Sequence, residues 1–131
     1  MVYWETAHEV PNQPQLILDW ARQWQEAEKV VYSSTLTEPR SARTQIKSKF
    51  DPDAVRQLKE RNEQDMAVAG PELGAQALQA KLVDELQMII FLVVIGGGKR
   101  FLPDGAQLNL ELVEERRFAN GVIALRYSVR S

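Results

Sequence analysis

The spacing of apolar residues changes along the chain, and each change predicts an element. In 13–28, Leu16, Trp20, Trp24 and Ala27 recur at helical spacing, with Ile17 and Ala21 beside them. This predicts an amphipathic helix with Asn12 as its N-cap and Pro14 in its first turn. Core packing is the first reading of the two tryptophans, and a ligand-stacking surface is the alternative. Lys29 to Ser34 is β-branched and aromatic, so it predicts a short strand. A loop from Thr35 to Arg43 and a short strand over 44–48 follow. Asp51-Pro52 marks the start of a second helix with an N-cap and a proline in its first turn. Val55 and Leu58 give that helix a narrow apolar face, which predicts a surface position. Asp65 to Ala69 predicts a third strand, and Gly70-Pro71 turns it into a helix over 71–80. Val83 to Ile95 is almost continuously apolar, the pattern of a central strand buried on both faces. Glycines 96, 97 and 98 end it. Pro103-Asp104-Gly105 predicts a turn, Gln107 to Val113 alternates as a strand, and Asn120-Gly121 predicts a hairpin with Val122 to Val129 as the return strand.

Helices and strands thus alternate before a terminal hairpin, which predicts an α/β fold with a mixed sheet. A chain of 131 residues suits one domain, here 1–131. The balance of 16 basic against 18 acidic residues lacks the basic excess of a nucleic-acid surface but leaves room for a small anion site. The absence of cysteine excludes disulfides, thiolate nucleophiles and zinc–thiolate sites, and it fits a cytoplasmic protein. The first nine residues carry Glu5 and Glu9 and lack the pattern of a signal peptide. The apolar run Met88 to Ile95 is far shorter than the ~20 residues of a membrane helix, so no membrane partner is expected.

Two segments have a physical rationale for binding an anion. Gly70, between a predicted strand and the helix starting at Pro71, would let a phosphate approach the backbone and the free N–H groups of a helix N-terminus. Ser33, Ser34 and Thr35 close the strand over 29–34, and hydroxyls at the C-terminal end of a strand suit a phosphate or a ribose. From spacing alone, an ordinary turn and loop caps remain the simpler account of both. Gly96-Gly97-Gly98-Lys99-Arg100 lacks the spacing of a phosphate-binding loop. It reads first as a sharp exit from a buried strand, with the two cations available to a subunit contact or an anion site. His8 is the single histidine, so multi-histidine metal sites and two-histidine relays are excluded. Asp84-Glu85 and Glu114-Glu115 are neighbours that point to opposite faces of a strand, which rules them out as an acid/base dyad. No catalytic side chain stands out, so a cofactor would carry any chemistry.

The segments "AEKVVYSSTL" (27–36), "VAGPELGAQALQAKLVDELQM" (68–88), "VVIGGGKRFLPDG" (93–105) and "LELVEERRFANGVIALRYSVR" (110–130) together resemble one family. It comprises the dihydrofolate-reductase-like proteins related to the C-terminal reductase domain of the bacterial riboflavin-pathway deaminase–reductase. The resemblance covers almost the whole chain. It implies a three-layer fold with a mixed, mostly parallel sheet flanked by helices, a C-terminal antiparallel hairpin, and none of the usual N-terminal strands. It also implies an NADPH-dependent reductase passing hydride to a small heterocyclic or ribosylamino-pyrimidine-like substrate. Ala69, Gly70, Pro71, Glu72 and Leu73 would receive the cofactor pyrophosphate, and Ser33, Ser34 and Thr35 would lie near the adenosine 2′-phosphate. The family has Gly-Gly where this chain has Ala69-Gly70. "MVYWET" (1–6) resembles the middle of a helix that the family precedes with a central strand.

A sheet without that strand leaves ladder groups unpaired, which predicts a homodimer or a domain-swapped homo-oligomer. The alternative to a reductase is a catalytically inactive nucleotide-binding or assembly module that keeps the scaffold.

Overall fold

A computed structural model describes residues 2–130, so Met1 and Ser131, the ends of the expected domain, lie outside the described residues. The α/β class holds. The chain divides into two compact units, 1–50 and 51–131.

The first unit begins with a short helix α1 (Tyr3–Thr6) and a 3-10 turn, Ala7–Glu9, both packed on helix α2 (Gln15–Glu26). Ala7 and Ala21 are its buried residues. Tyr3, Trp4 and Trp20 line up edge to face, with centroid separations of 5.0 and 6.2 Å, and Trp20 stays half exposed. The inward stripe of α2 is rotated from the predicted one. Ile17, Ala21 and Trp24 face in, whereas Leu16 is 78% exposed. Pro14, and not Asn12, is the N-cap; Asn12 takes φ 59° in the turn before it. Gln25 Nε2 donates to the carbonyls of Trp4 and Glu5, which α1 cannot satisfy itself. Lys29 Nζ donates to the carbonyls of Trp24 and Ala27 at 2.6 and 2.8 Å, so a cation sits on the negative end of α2. Strand β1 (Lys29–Tyr32) pairs in parallel with β2 (Thr44–Lys47), Val31 opposite Ile46.

In the second unit, helix α3 (Pro52–Arg61) starts where Asp51-Pro52 predicts. The Asp51 carboxylate accepts the N–H groups of Asp53 and Ala54 at 3.0 and 3.4 Å. Helix α4 (Pro71–Gln79) ends in a tight cap. Lys81, at φ 56°, donates its N–H to Leu78, and Leu82 donates to Ala77. This is the paired-bond pattern that closes a helix through a left-handed residue. Cations from α3 occupy the carbonyls beyond it: Arg56 Nη2 reaches Ala80 O at 3.3 Å and Lys59 Nζ reaches Leu82 O at 3.0 Å. Ala77, Leu78, Leu82 and Leu86 are the buried residues of this unit.

Strands β3 (Glu85–Ile90), β4 (Asn109–Arg117) and β5 (Ile123–Arg130) form an antiparallel sheet in the order β3-β5-β4. Asn120-Gly121 makes the predicted hairpin, with Gly121 at φ 89° and Phe118 N–H bonded to Val122 O. A bulge at Leu112/Glu114 shifts the register. Arg126 in the middle strand bonds Glu85 on one side and Glu114 on the other, at 2.9 and 3.1 Å. Both carboxylates push its pKa further up, Glu85 more strongly.

Two predicted strands differ. Residues 65–69 join no ladder, and Met66 and Val68 are both 44% exposed. The 83–95 segment is a strand only over Glu85–Ile90, at the edge of its sheet, and residues 89–95 are exposed. A strand is buried on both faces only when other layers cover it, and a run of apolar residues cannot supply those layers. Parallel pairing is confined to β1 and β2 among the described residues.

Asp51 supplies the one side-chain N-cap among the described helices. Asp51→Ala should cost about 1 kcal/mol in urea unfolding and Asp51→Asn much less, because only the second keeps an acceptor.

Candidate functional site

The second unit builds its anion-binding geometry from backbone. Gly70 is the N-cap of α4 with φ 94° and ψ 135°, a region that L-residues with a side chain rarely adopt. A Cβ built there would meet nothing within 4 Å, so the glycine is required by its dihedral and the surrounding space is open. Gly74 N–H makes the first helical bond to Gly70 O at 2.9 Å. Pro71 has no N–H to offer. The N–H groups of Glu72 and Leu73 therefore remain for a partner, at the positive end of the helix dipole. Gly70 cannot supply a side-chain cap of its own, and no hydrogen bond from these two N–H groups occurs among the described residues.

The structure joins this turn to the glycine-rich segment, a link the sequence did not reveal. Lys99 Nζ bonds and ion-pairs with the Glu72 carboxylate. Gly96 and Gly98 bend the intervening chain with φ 78° and 126°. The hydrogen bond from Lys99 and its charge hold the Glu72 carboxyl below the ordinary carboxylate range, and both groups remain exposed. Lys99 thus neutralises the acidic residue nearest the free N–H groups. Arg100 instead pairs with Asp104 four residues on, within the loop that turns at Pro103 to Gly105. Ala69, like Gly70, Pro71 and Glu72, is exposed, and Leu73 is half-buried.

In the first unit, Ser33 and Thr35 come together, while the Ser34 hydroxyl makes no hydrogen bond among the described residues. Ser33 Oγ lies 3.3 Å from Thr35 Oγ1 and accepts the N–H groups of Thr35 and Leu36 at 3.3 and 3.1 Å. That bonding makes Ser33 first a turn former, and Thr35 the freer hydroxyl. Thr35 lines a pocket of about 250 Å³ together with Leu36, Thr37, Glu38, Pro39 and Arg40. Glu38 and Arg40 have no ion-pair partner among the described residues. Thr35 is a predicted site residue, whereas Leu36 to Arg40 read from the sequence as loop alone, and nothing in their spacing singles out Glu38 or Arg40.

His8 is exposed, with Nδ1 3.4 Å from Gln25 Nε2, at the rim of a pocket of about 340 Å³ lined also by Leu18, Ala21 and Arg22. No group of three or more His, Asp or Glu side chains among the described residues could hold a metal ion. No helix among them is long and apolar enough to cross a membrane.

The family model described as the RibD C-terminal domain matches residues 3–124, across both units. No curated protein matches. Among solved structures, the chain resembles a candidate riboflavin biosynthesis protein from Shewanella sp. PV-4, at TM-score 0.69 and 16% identity. That match covers 89% of this chain and 71% of the other. A pyrimidine reductase-like protein from Corynebacterium diphtheriae matches at TM-score 0.52 and 18% identity, over 92% of this chain and 48% of the other. At these identities the likeness is one of fold.

The ion pair gives a measurable sign. Glu72 should titrate below an ordinary glutamate by carboxyl NMR, and Lys99→Met should return it toward the ordinary value. Because the folded pKa is depressed, the pair's small stabilisation is present above the unfolded pKa and fades as pH falls through the folded one.

Proposed function

Since the chain belongs to the RibD C-terminal domain family, we propose that it is a riboflavin-pathway type of reductase that takes NADPH. The substrate class is a heterocycle or a ribosylamino-pyrimidine. The observation that carries the reading is the start of α4. Gly70 holds an open left-handed turn there, and the N–H groups of Glu72 and Leu73 bond no acceptor among the described residues. A diphosphate fits that chemistry, because its oxygens accept the N–H groups and its charge suits the helix N-terminus.

In this reading the backbone of Ala69 to Leu73 binds the pyrophosphate. Lys99 keeps the Glu72 carboxylate from repelling it. Ser33, Ser34 and Thr35 are assigned to the adenosine 2′-phosphate by the family resemblance, with the Thr35 hydroxyl the least engaged by the protein's own backbone. The nicotinamide would supply the hydride, so the chain needs to bind and orient, and it shows no acid/base dyad of its own. The family match runs from 3 to 124, which supports treating the two units as parts of one family domain. A second reading, a nucleotide-binding assembly module without turnover, is favoured by the exposed apolar residues 89–95.

Calorimetry with NADPH at two salt concentrations tests the proposal. Micromolar binding that weakens with salt is expected, and Gly70→Ala should weaken it at least tenfold, because alanine at φ 94° costs roughly 1–3 kcal/mol of strain. A Thr35→Val variant that loses affinity for NADPH but not NADH would support the 2′-phosphate assignment. An absence of binding at millimolar NADPH would overturn the reductase reading.

A further inference from the structure

The loop after β1 carries two opposite charges that no other side chain engages among the described residues. Glu38 and Arg40 stand on either side of Pro39, both exposed, and they form no ion pair even with each other. Arg43, the next arginine along the chain, is already held by Glu28 at 3.1 Å. Glu38 and Arg40 line one pocket of about 250 Å³, in which Thr35 and Thr37 supply hydroxyls and Leu36 and Pro39 an apolar wall. Cavities that enclose a whole small ligand run to roughly 300–1,000 Å³. This pocket is smaller, so it suits one part of a larger molecule, such as a sugar with its substituents.

Its place in the first unit fits that use. Ser33 N–H donates to Lys47 O at 2.9 Å, so β1 and its parallel partner β2 run out together, and the pocket's loop leaves from that edge. Ligands of parallel sheets collect outside the carboxyl ends of the strands. Ser33 Oγ ties down the N–H groups of Thr35 and Leu36, which fixes the start of the loop. Proline at 39 fixes φ between the two charged residues.

A carboxylate and a guanidinium read opposite forms of the same sugar. The carboxylate accepts hydrogen bonds from free ribose hydroxyls and repels a phosphate. The guanidinium grips a phosphate and gains much less from a hydroxyl. A pocket selective for one form needs only one of these groups, and this pocket holds both.

Resting on the reductase reading, we propose that the pocket at 35–40 receives the adenosine ribose of the dinucleotide and that Glu38 and Arg40 oppose each other in choosing it, so that the chain takes NADH and NADPH with similar affinity. Glu38 accepts the ribose hydroxyls of NADH. Arg40, beside the Thr35 hydroxyl, donates to the 2′-phosphate of NADPH. Each residue weakens the selectivity that the other would impose alone.

Two fragments test this on the full chain by ligand-observed NMR: adenosine 2′,5′-bisphosphate and adenosine 5′-monophosphate. Both bind the unaltered chain, with affinities less than about tenfold apart. Arg40→Ala weakens the bisphosphate at least tenfold and leaves the monophosphate unchanged, because only the first loses a charge-assisted contact. Glu38→Gln moves selectivity the other way, weakening the monophosphate and strengthening the bisphosphate. Both residues are exposed in a loop, so circular dichroism should not change. Failure of both fragments to bind, a preference far above tenfold in the unaltered chain, an equal effect of Arg40→Ala on both fragments, or a selectivity indifferent to Glu38→Gln would each overturn the proposal. The fragments lack the pyrophosphate bridge and the nicotinamide, so Gly70→Ala should leave their binding intact. Fragments that bind while NADPH does not would sink the reductase reading, and NADPH that binds without these selectivity changes would sink the present proposal alone.

Discussion

Helix α4 is fixed at its C-terminal end, and the rest of the second unit is arranged around that end. Ala77, Leu78, Leu82 and Leu86 are buried, and Leu82 returns its N–H to Ala77 across the left-handed residue Lys81. Arg56 and Lys59 of α3 then take the carbonyls of Ala80 and Leu82, groups that a helix end cannot satisfy by itself. One short stretch of chain therefore positions two helices and the first strand of a sheet. The opposite end of α4 is left with its first-turn N–H groups free. A helix with one end capped and the other open is a suitable mount for an anion, because the open N–H groups already point along the helix axis to receive it.

The elements legible in the sequence are those written in local code. Asp51-Pro52 specifies an N-cap through a side chain two and three residues from its donors, and Asn120-Gly121 specifies a hairpin through backbone dihedrals that few residues adopt. Both form where expected. The failures concern burial. The run Val83 to Ile95 reads as a central strand, yet among the described residues only β5 pairs with it, and its second half is exposed. Hydrophobicity records what a segment would gain from being covered, and does not record whether a cover exists. The rotated stripe of α2 has a related cause. Two overlapping apolar rows were present, and the row that packs has the buried Ala21 at its centre, which periodicity alone could not rank.

The candidate site divides along the same line. Gly70 before a proline-started helix was visible because a turn and a helix start are local features. The pairing of Lys99 with Glu72 joins residues 27 positions apart and depends on the bends at Gly96 and Gly98. Nothing in the spacing of either motif refers to the other. The sequence also could not rank the hydroxyls of 33–35. Only the bonds to Thr35 and Leu36 show that Ser33 is already committed to its own turn.

Lys99 ties the glycine-rich segment to the candidate site. It offsets the Glu72 carboxylate beside the free N–H groups of α4. Without that cation the carboxylate would stand bare beside the position a phosphate would take and would repel it. Both groups are exposed, so water and salt screen the pair, and its contribution to holding an anion falls as ionic strength rises. The backbone N–H groups set where an anion sits, and the lysine sets how little it is opposed there.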